Sequence, residues 1–185
     1  MNLPNKLTVL RVLMIPLFLL FYYTGGYLAA FFTFALASIT DALDGYLARK
    51  YNLVTDFGKL MDPLADKLLT IAAFVVIISR MTPIYIVCLV IIISREFIVT
   101  SIRLVAAEKG IIIAADKWGK LKTVSQMVWI CFALLFHVLI LNSAPVPVTG
   151  LIQALFDGLF IAMMLLTVFS GINYCVRNRN LFRDM

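Results

Sequence analysis

Four aspartates stand at helical spacing within long apolar segments of the chain. Asp41 and Asp44 are three residues apart and Asp62 and Asp66 are four apart, so each pair shares one face of a helix. An uncompensated aspartate at the centre of a membrane helix costs about 2.5–3.5 kcal/mol, so four of them require a reason. Hard divalent cations such as Mg²⁺ or Mn²⁺ prefer oxygen ligands. The pattern therefore predicts a divalent-metal site that a substrate phosphate would complete.

Small and basic residues lie between these acids. Gly45 directly follows Asp44, where the missing side chain lets a ligand approach the backbone. Arg49 comes one turn later and offers a planar fork for phosphate. A simpler interpretation pairs the acids with nearby lysines and Arg49 at the membrane surface. Four acids on adjacent segments, with glycines between them, favour the functional interpretation.

The elements that position the acids are membrane helices. The chain has 185 residues, of which 63% are hydrophobic and only 14% are charged, and its mean hydropathy is +1.00. Soluble domains carry about 25% charged residues, so a soluble globule and a disordered chain are both excluded. We expect an all-α integral membrane protein, one domain over residues 1–185 with six transmembrane helices. The predicted spans are residues 7–23, 27–49, 60–78, 83–105, 121–141 and 148–176.

The basic residues indicate the topology. Of sixteen Lys and Arg residues, only Arg80 lies at the ends opposite to the termini. The positive-inside rule therefore predicts that both termini are cytoplasmic. The short connection between the second and third spans brings both aspartate pairs to this same side. The net charge of +6 then reflects topology and an anionic substrate, and we expect no nucleic-acid partner.

The acids and their neighbours resemble the signature of the CDP-alcohol phosphotransferases. That signature reads DxxDGxxARx₈GxxxDxxxD, and residues 41–66 meet every fixed position without a gap. The length of the chain and its predicted six-helix architecture are similar to those of the family as well. Weaker matches at residues 5–11, 94–103 and 119–123 resemble the bacterial members of the family that use glycerol 3-phosphate as the acceptor.

The resemblance implies roles for individual residues. Asp41, Asp44, Asp62 and Asp66 would bind a divalent metal, Mg²⁺ or Mn²⁺, and Asp66 would also be the general base. The pocket for the CDP moiety would be formed by Thr8, Gly45, Ala48, Arg49 and Gly58. The implied reaction is attack of an alcohol on the β-phosphorus of CDP-diacylglycerol, with release of CMP. The resemblance also implies a homodimer in the inner membrane of a bacterial cell.

Four cations on the fourth and fifth spans are candidates for binding the acceptor phosphate: Arg95, Arg103, Lys120 and Lys122. A cationic pocket suits glycerol 3-phosphate and disfavours neutral acceptors. A phospholipid head group, as in a cardiolipin synthase of this fold, and inositol phosphate remain open. An ion transporter is a more remote alternative, because the outer halves of the spans carry almost no charge.

Several other polar residues receive simpler interpretations. Three arginines of the C-terminal tail are expected to meet anionic membrane lipid: Arg177, Arg179 and Arg183. The single histidine, His137, is interpreted as a packed residue. Asp157 stands alone in the outer half of the sixth span, and the sequence assigns it no role.

Overall fold

The computed structural model describes residues 3–50, 56–111, 113, 116–141 and 146–179. Within these ranges, side chains are described except at 3–6, 41–50, 56–63, 66, 108, 139–141 and 146–149. The described residues form six α-helices and no strand, which confirms the all-α prediction. The helices are α1 (Leu3–Tyr23), α2 (Tyr27–Lys50), α3 (Asp56–Ile78), α4 (Ile84–Glu108), α5 (Lys117–Leu141) and α6 (Val146–Arg177).

Three helices begin about one turn before the apolar segments from which they were predicted. α1 starts at Leu3, α3 at Asp56 and α5 at Lys117, whereas the apolar segments start at 7, 60 and 121. The added turns carry polar and charged residues, among them Asn5 and Lys59. Hydrophobicity marks the part of a helix that suits the bilayer, but backbone hydrogen bonding continues the helix beyond it.

Three stretches are long and apolar enough to cross a membrane: Ile84–Ala107, Lys117–Val138 and Gly150–Arg177. Shorter apolar stretches lie in the other helices, at Leu7–Tyr23, Tyr27–Thr40 and Lys67–Ile78. Large apolar side chains on these helices are exposed, as expected where lipid is the solvent, for example Leu13, Leu20, Ile84, Leu151 and Leu165. The chain is a multi-pass membrane protein, and the count of six spans stays a prediction.

Two glycines end helices in the left-handed conformation that other residues rarely adopt. Gly25 has φ +83° just after α1, and Gly110 has φ +72° just after α4. At the second turn, the amide of Gly110 donates to Ala107 at 3.0 Å and the amide of Ile111 donates to Ala106 at 2.8 Å. This pair of bonds satisfies carbonyls that the end of α4 leaves without helical partners.

The described helices divide into two compact units. The first unit comprises Met1–Arg80 with Ile130–Pro145, and the second comprises Met81–Trp129 with Val146–Met185. In the first unit, α1 packs on α2 and α3, and α2 also contacts α3. Among the described side chains of this unit, the fully buried aromatic ones are Phe18, Tyr22, Phe34 and Phe74.

The second unit is built on α4 and α6, which pack together. Trp129 is fully buried there, with its ring 5.3 Å from that of Phe156 and 5.1 Å from that of Phe160. Val99, Ile102 and Tyr174 form a second buried group. These contacts hold the helices that carry the predicted acceptor residues. The prediction of one domain over residues 1–185 stays a prediction.

Candidate active site

The aspartate motif, defined as the eight fixed positions of the signature from Asp41 to Asp66, lies on two helices of the first unit. Asp41 and Asp44 belong to α2, and Asp62 and Asp66 belong to α3. Each lies within about three helical turns of the segment that joins α2 to α3. Gly45, Ala48 and Arg49 share α2 with the first pair, and Gly58 shares α3 with the second. The side chains of the motif lie outside the described part of the structure.

The backbone placement of the motif suits a divalent cation. Two carboxylate pairs lie on consecutive helices that contact each other, and carboxylate oxygen is the donor type that Mg²⁺ and Mn²⁺ take. Among the residues whose side chains are described, no group of three or more His, Cys, Asp or Glu could hold a metal ion. The donor set of the motif fits the predicted metal.

α1 adds two buried polar residues to the first unit. Thr8, predicted to contact the CDP moiety, is 1% exposed, and Arg11 is 0% exposed. Both side chains have interaction partners. A buried guanidinium is costly unless it is paired, so Arg11 is a candidate site residue in its own right. Sequence reasoning treated it only as part of a resemblance, although a lone arginine inside an apolar helix was a usable signal.

In the second unit, one glutamate joins two of the predicted acceptor residues. Glu96 Oε1 accepts a hydrogen bond from Arg95 Nη1 at 3.2 Å and another from Lys122 Nζ. Arg95 Nη2 donates to Ser170 Oγ of α6 at 3.1 Å. We call Arg95, Glu96, Lys122 and Ser170 the Glu96 cluster. It connects α4, α5 and α6, and it brings together two cations that the sequence places 27 positions apart.

Arg95 lies flat against α6. A Cβ atom added at Gly171 would be 2.9 Å from Arg95 Cγ, which is closer than side chains allow. Arg95 also borders a groove of about 420 Å³ that is otherwise almost entirely apolar and includes Ile98, Val168 and Ile172. Its Nε is buried and has no hydrogen-bond acceptor among the described residues. A buried donor without an acceptor is a natural contact for an anionic ligand.

The other two predicted acceptor residues are outside this cluster. Arg103 is exposed and donates from Nε to the hydroxyl of Tyr174 at 3.3 Å, with its guanidinium carbon 5.5 Å from the ring centre. Lys120 is exposed on α5, where its amide donates to the carbonyl of Asp116. The structure therefore unites Arg95 and Lys122 through Glu96, and it leaves Arg103 and Lys120 on the surface of the unit.

Asp116 makes a connection that the sequence did not predict. Its carboxylate accepts hydrogen bonds from Asn173 Nδ2 at 2.9 Å and from Arg177 Nη1 at 3.2 Å. These bonds tie the residue before α5 to the end of α6, and we call the three residues the Asp116 clamp. Arg177 is still 65% exposed, so the ion pair leaves its side chain open to the surroundings.

The structure also shows partners for two further polar residues, Asp157 of α6 and His137 of α5. Asp157 accepts hydrogen bonds from Gln153 Nε2 at 3.2 Å and from the hydroxyl of Tyr85 at 3.3 Å. His137 Nδ1 lies 2.8 Å from the carbonyl of Ala133, and its ring is 5.1 Å from that of Tyr27. His137 is thus packed among aromatic residues, as the sequence indicated.

Comparison with known proteins places this geometry in a protein class. Residues 1–172 match the model of the CDP-alcohol phosphatidyltransferase family. The chain belongs to this family, as its aspartate motif predicted.

Individual relatives show which members of the family this chain resembles in sequence. The chain is 40% identical to a Bacillus subtilis protein named CDP-diacylglycerol–glycerol-3-phosphate 3-phosphatidyltransferase, over 96% of this chain and 95% of the relative. A protein of the same name from Rickettsia typhi is 44% identical over 77% of this chain and 78% of its own length. A Mycobacterium tuberculosis protein named probable phosphatidylglycerophosphate synthase is 40% identical over 95% of this chain and 81% of its own length.

Proposed function

We propose that this chain transfers the phosphatidyl group of CDP-diacylglycerol to glycerol 3-phosphate, giving phosphatidylglycerophosphate and CMP. The observation that carries the proposal is the similarity, over 96% of the chain, to a relative whose name states this activity. The complete aspartate motif supports the same chemistry, because all eight of its fixed positions are present.

The reaction requires an activated hydroxyl and an electrostatically stabilised leaving group. The acceptor oxygen forms a bond to the β-phosphorus, and the bond from that phosphorus to the bridging oxygen breaks. CMP departs with the electron pair of the broken bond. In this proposal the hydroxyl proton passes to the carboxylate of Asp66, since an alcohol is a poor nucleophile until a positioned base removes its proton.

A divalent metal, Mg²⁺ or Mn²⁺, would be held by Asp41, Asp44, Asp62 and Asp66. When bound, it would neutralise negative charge on the diphosphate and on the departing CMP. The support is the donor set, two carboxylate pairs on consecutive helices in contact. Chelation should abolish turnover, and added Mg²⁺ or Mn²⁺ should restore it.

The nucleotide part of the donor would lie against residues of α1, α2 and α3. Gly45 and Gly58 would let the diphosphate approach the backbone, and Arg49 would supply a planar cation. Thr8 and Ala48 complete the proposed CDP-binding set. The burial of Thr8 supports a role inside the protein rather than at its surface.

Arg95, Arg103, Lys120 and Lys122 are proposed to bind the acceptor phosphate. The buried Nε of Arg95, which has no hydrogen-bond acceptor among the described residues, supports this role because a phosphate oxygen would satisfy it. The contacts of Arg103 and Lys122 with polar partners support it as well, since they order flexible side chains in advance.

The proposed location is the inner membrane of a bacterial cell, with both termini and the active site on the cytoplasmic side. The distribution of basic residues supports this orientation. Arg177, Arg179 and Arg183 would then meet anionic lipid of the cytoplasmic leaflet. We also propose a homodimer, which rests on the family resemblance.

An acceptor screen tests the proposed function. Purified protein in detergent receives CDP-diacylglycerol and Mg²⁺ with one of three acceptors, which are glycerol 3-phosphate, phosphatidylglycerol and inositol phosphate. We expect CMP release with glycerol 3-phosphate. Release with another acceptor instead would retain the chemistry and overturn the acceptor. Ion flux in reconstituted vesicles without CMP release would favour the transporter.

A further inference from the structure

We infer that Glu96 is a positioning residue for the acceptor phosphate, because it holds two cationic side chains, Arg95 of α4 and Lys122 of α5, close to each other. The inference rests on the proposed function, in which these two cations bind the phosphate of glycerol 3-phosphate. Glu96 itself would not contact the substrate.

The contacts of a single oxygen carry the inference. Oε1 of Glu96 accepts hydrogen bonds from both Arg95 Nη1 and Lys122 Nζ, although the two cations lie on different helices. The lysine is almost completely buried, with 2% of its side chain exposed, whereas the glutamate is 18% exposed. The shared oxygen therefore sets the separation between the guanidinium and the ammonium.

The electrostatics explain why a carboxylate is needed there. Two cations that close together repel each other, and burial disfavours the charged form of an ammonium group. A carboxylate between them offsets both effects. Without it, we expect Lys122 to turn away from Arg95, and a phosphate would then meet one ordered cation instead of two.

The other side of Arg95 is fixed as well, by contacts with α6. Ser170 accepts a hydrogen bond from Arg95 Nη2 at 3.1 Å, and the close approach at Gly171 leaves no room for the arginine stem to move toward α6. With Arg95 held in this way, the hydrogen bond from Lys122 to Glu96 fixes the lysine relative to the guanidinium.

The test compares substitutions that remove the charge, shorten the side chain, or change a matched acid elsewhere. In Glu96→Gln we expect the KM for glycerol 3-phosphate to rise about tenfold or more. The kcat and the KM for CDP-diacylglycerol should stay within about twofold, since a positioning role affects one substrate. Glu96→Asp retains the charge and should raise the acceptor KM less. Asp157→Asn is the matched acid-to-amide change, at a residue that accepts hydrogen bonds from Gln153 and Tyr85. It should alter none of these constants.

A double-substitution cycle shows whether Glu96 acts through the lysine. If it does, Glu96→Gln combined with Lys122→Met should be little worse than Lys122→Met alone. Fully additive effects would overturn the inference, and so would an unchanged acceptor KM in Glu96→Gln. If Glu96→Gln does not fold, Glu96→Asp decides alone. A selective rise in its acceptor KM supports the inference, and an unchanged value overturns it.

Binding of inorganic phosphate separates this inference from the proposed function. Calorimetric titration of the full chain in detergent requires no turnover, so it is informative even if the acceptor screen selects another phosphate-bearing acceptor. Weaker phosphate binding in Glu96→Gln than in the unsubstituted chain supports the inference. Equal binding in the two proteins, or no phosphate binding by either, overturns it.

Discussion

Charged residues lie within apolar helices in both units of the chain, but the two sets differ in composition. At the fixed positions of its signature, the aspartate motif on α2 and α3 has four acids and one arginine, Arg49. The Glu96 cluster on α4, α5 and α6 instead mixes one acid with two cations. A mixed set can be stabilised by its own members, whereas a set in which one sign of charge predominates suits a counter-ion from outside the chain. In the proposed function, the metal would therefore be held by the first unit and the acceptor phosphate by the cations of the second.

The largest expected effect comes from the acid-rich unit. Asp66→Asn should lower kcat by about 10²–10⁴-fold, because the acceptor hydroxyl loses its base. Binding of CDP-diacylglycerol, measured by calorimetry, should be largely unchanged, since the amide retains the size of the side chain. Asp157→Asn is the matched control and should keep full activity. Retained turnover in Asp66→Asn would remove the residue from the role of base.

A smaller and more selective effect is expected in the cation-bearing unit. Arg103→Ala should raise the KM for glycerol 3-phosphate by about 10- to 100-fold, because a charge-assisted hydrogen bond contributes about 1.5–3 kcal/mol. The KM for the lipid donor should change much less. Tyr174→Phe removes the hydroxyl that Arg103 contacts and should show a milder form of the same selectivity. Equal effects of Arg103→Ala on both substrates would contradict an acceptor role.

Substitution of two glycines of α6 sharpens the comparison, because it tests the position of Arg95 without changing any charge. Gly171→Ala should raise the acceptor KM several-fold, because the added methyl group would lie only 2.9 Å from Arg95 Cγ and would displace the arginine. Gly158→Ala is a matched control on the same helix, since its added Cβ would meet no atom within 4 Å. Steady-state kinetics of the two variants decide the matter. The same acceptor KM in both would show that the position of Arg95 is unimportant.

The smallest effect is expected away from both charged sets. In the first unit, Arg80 Nη1 donates to the hydroxyl of Tyr27 at 2.8 Å and its guanidinium lies 5.3 Å from the ring centre of Tyr22. Tyr27→Phe should lower the free energy of unfolding by about 1 kcal/mol through loss of that hydrogen bond, and it should leave the kinetic constants unchanged. Thermal unfolding in detergent provides the measurement. A change in either KM would connect this region to catalysis.

The helices could be predicted from sequence because apolar segments of membrane length are a strong and local signal. The aspartate motif could be predicted equally well, since its residues lie at fixed spacing within two consecutive segments. The partners of Arg95 could be predicted from the sequence only in part. Glu96 is adjacent in sequence, but Ser170 and Lys122 reach Arg95 or Glu96 from other helices. No periodicity encodes which helices of one unit pack together, so contacts of this kind depend on the tertiary structure.

The Asp116 clamp and the partners of Asp157 show the same limit. The sequence identified Asp157 as unusual without finding its hydrogen bonds to Tyr85 and Gln153. The partner Gln153, one turn away on the same helix, was within reach of sequence reasoning. Tyr85 was not, because it lies on α4 and is 72 positions distant.

The Asp116 clamp has a consequence for biosynthesis. Asn173 and Arg177 follow Asp116 by 57 and 61 positions, so a ribosome must add 57 residues after Asp116 before the first partner exists. The beginning of α5, with Lys120 and Lys122 close behind it, can therefore be anchored only after the last helix has been synthesised. A nascent chain that stops before Asn173 would carry the complete aspartate motif but lack this anchor.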